Sequence, residues 1–141
     1  MTPRVLPPDV EPWLVSYVRD ELAAAGHDVE VDAKEPDDLA TPLQTPLVVI
    51  RDDSGPMESV VTFSRQVGIS VLAGTRQNDT SARDLSRLVF AIVTADEIAL
   101  APGSPIASVD HTSCNGPYAV ADDHDVARRY LTVAYTAVGS W

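Results

Sequence analysis

The densest group of residues able to do chemistry is Asp122-Asp123-His124-Asp125. Carboxylates beside an imidazole are the donor types of a divalent-cation site or a general base. The run lacks the alternating spacing and the glycine of an EF-hand-type calcium loop, so a solvated acidic loop is favoured. His27, His111 and His124 are scattered, with no i, i+4 pair on a helix, and Cys114 as the single cysteine cannot complete a zinc set. Cys114 and His111 have the types of a thiol nucleophile and its base. A lone cysteine beside a strand is more often a small apolar filler. The sequence has no glycine-rich phosphate loop and no Gly-x-Ser-x-Gly elbow. The expectation is therefore a chain with no catalytic residue, no cofactor and no metal.

The remaining candidates are charged residues suited to protein contacts. Arg51, Asp52 and Asp53 stand at the expected tip of a hairpin, where aspartate also serves the turn itself. Arg65 interrupts an otherwise apolar strand face. It must lie at the end of a core, pair with a carboxylate, or meet another subunit, since arginine is enriched at interfaces. Arg76 falls in a polar loop. Arg128 and Arg129 precede the last strand and face the acidic run before them.

These residues need a scaffold, and the hydrophobic pattern supplies one. At 141 residues and 45% hydrophobic, the chain has the size and apolar content of one domain, residues 1–141. Residues 1–8 hold three prolines and read as an extended arm. Asp9 is a suitable N-cap for a helix over Val10 to Ala25, with Gly26 as its stop. His27 to Ala33 alternates as a half-exposed edge strand with acids outside. Leu47 to Arg51 and Ser59 to Ala73 form a hairpin around the turn Asp52 to Pro56, and Gly68 marks a bulge or bend. A second helix starts at Asp79, Thr80 or Ser81 and carries its stripe through Leu85, Leu88, Val89, Ile92 and Val93 to about Leu100. Ile106 to His111 is a strand, Asn115-Gly116-Pro117 a turn, and Arg129 to Val138 the last strand. The expected fold is α+β, in the order α-β-β-β-α-β-β, with both helices packed on a mainly antiparallel sheet of about five strands. Trp13 and Tyr17 lie on the apolar stripe of the first helix and are expected in the core.

Ten Lys+Arg stand against 21 Asp+Glu, a net charge of -11, and Lys34 is the only lysine. Such a chain is a poor nucleic-acid binder, because phosphate contacts need surplus cations. It suits a surface that avoids polyanions or meets a basic partner. One cysteine excludes an internal disulfide. Met1 to Pro12 has prolines and acids where a secretory leader needs an apolar run, and no stretch reaches the roughly 18 apolar residues of a membrane span. A soluble chain made in the cytoplasm, without membrane contact, is expected.

The pattern resembles the tail terminator proteins of long-tailed, siphovirus-like actinobacteriophages. The matching pieces are Leu6-Pro7-Pro8-Asp9-Val10-Glu11 leading to Leu14, and Pro46-Leu47-Val48-Val49-Ile50-Arg51 with its acidic turn. They continue with the long Val60 to Leu72 strand followed by an Ala-, Leu- and Arg-rich helix, then Asn115-Gly116-Pro117 and Arg128-Arg129-Tyr130. Ala121 to Val126 is more acidic than that pattern. The resemblance implies a virion protein of the tail neck, assembled in the bacterial cytoplasm. It implies a hexameric ring on the last ring of tail tube, which stops tube polymerisation and receives the head-completion proteins. DNA would pass the lumen without specific binding, as an acidic lining favours. Sheet edges and a long hairpin suit the head-to-tail contacts of a ring. The alternatives are another neck component, such as a head-closure or connector protein, and a small cellular α+β enzyme or ligand-binding domain. The last would need a polar pocket for which the sequence offers no lining.

Overall fold

The computed structural model describes residues 4–141; the first three residues of the expected arm lie outside them. Helix α1 (Val10–Ala24) buries Val10, Leu14, Val15, Val18 and Leu22. Those positions form one stripe of a 3.6-residue repeat. At its C-terminus Gly26 takes φ +83°, and the N–H groups of Gly26 and His27 return to the carbonyls of Ala23 and Leu22. That closure satisfies carbonyls the helix would otherwise leave open. Asp9 stands at the N-cap position, but its side chain makes no capping bond.

Six strands form one mixed sheet: β1 (Glu30–Asp32), β2 (Leu47–Asp52), β3 (Thr62–Ala73), β4 (Ile106–Val109), β5 (Asn115–Val120) and β6 (Ala127–Val138). Their spatial order is β1-β2-β3-β6-β4, with β5 also paired to β6. Only β1 and β2 are parallel. The α+β class, the element order and the dominance of antiparallel pairing follow the sequence reading, with one strand more than expected. β1 is the expected acidic edge, with Val31 inward and Glu30 and Asp32 exposed.

β3 and β6 pair along their full lengths, from Thr62 opposite Val138 to Ala73 opposite Ala127. One face of this sheet lies under both helices. Val48, Ile50, Val67, Ile69, Val71, Leu131, Val133 and Tyr135 join the α1 stripe and the α2 residues Leu85, Val89 and Val93 in the main core. On the opposite face, the connection from β1 to β2 packs Leu39 and Leu43 with Leu47, Leu72 and Val126. A parallel pair needs such a long crossover.

Four expectations are corrected. Asp52 to Pro56 is not the hairpin tip. The Asp53 N–H bonds the Gln66 carbonyl, Ser64 bonds Pro56, and Met57 bridges Phe63, so the arms continue to a tip at Ser59 to Val61. The turn chemistry is real but local: Asp52 accepts from the Ser54 N–H at 2.7 Å, and Ser54 has φ +67°. Asn115-Gly116-Pro117 opens β5 instead of turning the chain; Gly116, at φ +101°, lies in the register shift between Asn115 and Tyr118.

Helix α2 (Thr80–Thr94) ends before Leu100, because Ala95 becomes extended and Asp96–Leu100 forms a 3-10 turn that drives Ile98 into the core. Gly68 is no bulge, since the β2–β3 and β3–β6 registers run through it unbroken. A Cβ there would stand 2.1 Å from the Tyr130 hydroxyl, so glycine makes room for the tyrosine. β4 and β5 lie end to end along β6, separated by the 3-10 turn His111–Ser113.

Candidate interaction site

The far end of the β3–β6 pair is the most unusual surface. The hairpin tip, the described part of the N-terminal arm and the C-terminal residues converge there. Leu6 and Ser140 exchange backbone bonds at 2.6 and 3.0 Å, and the Gly139 N–H bonds the Val61 carbonyl at 2.9 Å. This brings Leu6, Met57, Val60, Val61, Val138 and Trp141 to one end while leaving them in solvent, Val60 at 73% and Trp141 at 78% exposure. Six of the large apolar side chains left exposed thus belong to segments that meet at one end of the sheet. Arg65 lies just beneath it. Its guanidinium donates to the carbonyls of Gly55 and Ser64, both at 2.8 Å, and sits 5.1 Å from the Phe63 ring centroid. Arg65 is thus buried on the core face of β3, held by carbonyls and not by a carboxylate.

The other candidates separate into two places. Arg51 pairs with Asp53 at 2.7 Å and donates to the Tyr130 hydroxyl at 3.4 Å on the sheet face away from the helices. The Asp52 N–H donates to the Glu11 carboxylate at 3.0 Å, which ties β2 to the first turn of α1. Arg76, Arg128 and Arg129 do come together, around a shallow depression of 230 Å³ at the opposite end of the sheet. Two of the three are engaged there. Arg128 bonds Glu35 at 2.8 Å and Asp122 at 2.6 Å, and Arg129 bonds Asp79 at 2.8 Å. Asp79 is the N-cap of α2, yet its carboxylate serves Arg129 and not the helix.

Within the acidic run, Asp125 accepts the Arg76 N–H at 3.1 Å from the surface, and Asp122 turns inward. Burial pushes the Asp122 carboxyl up, but hydrogen bonds from the His124 N–H, Arg128 and the His124 ring, with the Arg128 charge, outweigh it and bring its pKa to about 2. An acid held so low is a structural anchor and a weak base. Cys114 packs against the main core, its thiol 3.4 Å from the Asp110 carbonyl. Burial first, and the Asp110 charge, push that thiol up against a smaller pull from the Ala134 N–H, whereas a nucleophile needs the reverse. His111 instead pairs with Asp96 at 2.7 Å. Among the described residues no three His, Cys, Asp or Glu gather in a way that could hold a metal ion, and no helix is long and apolar enough to cross a membrane.

One concave site was not anticipated. Trp13 and Tyr17 are only partly buried; their rings stack at 5.0 Å and 13° on the flank of α1. With Asp20, Glu21, Glu97 and Leu100 they line a groove of 670 Å³ between α1 and the turn after α2. The Trp13 indole N–H donates to the Pro102 carbonyl at 3.3 Å. Burial, then the charges of Glu21 and Glu97, push the Tyr17 hydroxyl up. The stripe position of Trp13 and Tyr17 predicted core, because the partner segment that flanks them lies far away in sequence. No protein-family model matches this sequence, and no curated protein does.

Proposed function

We propose that this protein is a structural assembly protein of a phage tail neck, a terminator. In this reading copies form a hexameric ring on the last ring of tail tube, end its polymerisation and offer a surface to the head-completion proteins. The observation that carries the assembly role is the apolar end built from Leu6, Met57, Val60, Val61, Val138 and Trp141. A chain with 45% hydrophobic residues has ample core to hide side chains, yet leaves these six outside, which is the mark of a surface completed by another protein. A net charge of -11 suits a passage through which DNA must slide without sticking. The terminator role itself rests on the resemblance in the segments Leu6 to Glu11, Pro46 to Arg51, Val60 to Leu72 and Arg128 to Tyr130.

The test is size exclusion with light scattering, on the protein alone and mixed with tail tube protein from the same phage. The reading expects a ring, or a complex with the tube, that Val60→Asp abolishes while its melting temperature stays that of the wild type. A strictly monomeric protein that ignores tube protein overturns it. Electron micrographs of phage lacking the gene give a second readout. Overlong tails support a terminator, and tails of normal length beside leaking heads point to a head-closure protein instead.

A further inference from the structure

We propose that the groove between α1 and the turn after α2 receives an arginine or lysine side chain from a basic segment of a partner protein. The groove joins three features that a cationic side chain uses together. Its floor is an aromatic pair, Trp13 stacked on Tyr17, and the electron-rich ring faces attract a cation. Its rim carries Asp20 and Glu21 from α1 and Glu97 from across the gap, and no lysine, arginine or histidine is among the described residues that line it. Its lip is Leu100, 85% exposed, which can lie along the aliphatic stem of a long side chain. Planar guanidinium suits this set best, since it stacks on a ring and bonds a carboxylate at the same time.

The geometry shows that the carboxylates and rings share one space. Glu21 and Glu97 both act electrostatically on the Tyr17 hydroxyl, although they come from different elements. The Trp13 indole N–H also reaches the Pro102 carbonyl at 3.3 Å, a contact that favours one ring orientation before any partner arrives. A cavity of 670 Å³ is larger than one side chain needs, so flanking residues of the partner segment also fit. Charge complementarity selects the occupant: a -11 chain with an acid-rimmed groove draws a basic segment from a distance and repels an acidic one. This inference does not depend on the phage reading.

The experiment follows the indole N–H of Trp13 by NMR in the full chain, with Trp141→Phe used only to assign the two tryptophans. The probe is a glycine-flanked peptide with two arginines; its control carries citrulline, the neutral isostere, at both positions. The arginine peptide is expected to move the Trp13 signal saturably, with a Kd on the order of 1 mM for so small a probe. Raising the salt should weaken it several-fold. Glu97→Gln, at an exposed position, should weaken it about two- to fivefold, the upper range for an exposed charged pair, with an unchanged melting temperature. Three results overturn the proposal: no movement up to roughly 20 mM peptide, a limit well beyond that affinity; equal movement with the citrulline peptide; or a Kd indifferent to Glu97→Gln. A Trp13 signal that moves with protein concentration alone overturns it too, in favour of a second copy filling the groove.

Discussion

The hydroxyl of Tyr135 donates a 2.6 Å hydrogen bond to the carbonyl oxygen of Val93, joining β6 to the last turn of α2. That carbonyl is one of the helix-end acceptors with no partner inside the helix. The bond is buried, and burial first, then the charges of Cys114 and Tyr17, keeps the phenol protonated well above its usual range. Tyr135→Phe keeps the ring and strands the carbonyl. It is expected to cost about 1–2 kcal/mol in urea unfolding, with an unchanged m-value.

Asp122 provides a pH-dependent anchor. Its folded pKa of about 2 lies below the ordinary 3.8, so its stabilisation is complete above pH 4 and is lost as pH falls toward 2. The side chain is only 6% exposed, and through Arg128 it holds the β1–β2 crossover at Glu35. Asp122→Asn is expected to cost roughly 1–2 kcal/mol at pH 7, the scale of a charged hydrogen-bond pair. The gap to wild type should close as the pH is lowered through that window. Urea midpoints of both proteins at pH 7, 4 and 3 check it; a constant gap contradicts it.

Gly68 and Tyr130 form a size-matched pair across β3 and β6. An added methyl at 68 would meet the Tyr130 hydroxyl at 2.1 Å and the Asp53 carboxylate at 3.1 Å. Gly68→Ala is therefore expected to cost about 1 kcal/mol, as overpacking does, although alanine is the stiffer chain. Tyr130→Phe should restore roughly half of that loss in the Gly68→Ala background while being nearly neutral alone, a coupling of about 0.5 kcal/mol in a double-mutant cycle.

The elements with a single clear period were legible in sequence. The acid-out alternation around Val31 stands as read, as do Val10, Leu14, Val18 and Leu22 of the α1 stripe and Phe63, Val67, Ile69 and Val71 of the β3 parity, whereas Trp13, Tyr17 and Val61, read on the same faces, are partly or largely exposed. Arg65, the exception in that last parity, is buried between Phe63 and Val67, with its guanidinium on the Gly55 and Ser64 carbonyls. Misreadings arose where local chemistry and tertiary pairing compete. Asn115-Gly116-Pro117 has strong turn residues, but β6 was available as a partner and the left-handed Gly116 became an irregularity within β5. The end of α2 carries no glycine or proline to announce it; burial of Ile98 sets it. Neither surface could be seen from periodicity. Leu6, Val61 and Val138 meet only because β3 pairs with β6 and the arm with Ser140, and Trp13 meets Glu97 only after α1 and α2 pack together.

The broken outer border of the sheet has a consequence for how the protein behaves when crowded. β4 and β5 are interrupted by His111–Ser113, and the other border, β1, offers three residues flanked by acids. A foreign chain trying to lengthen the ladder would find only a few successive free amides on either side before the path ends or turns charged. Fibril growth by cross-β templating needs a longer uninterrupted run. If copies assemble as proposed, their contacts fall to side chains at the apolar end and not to extension of the ladder.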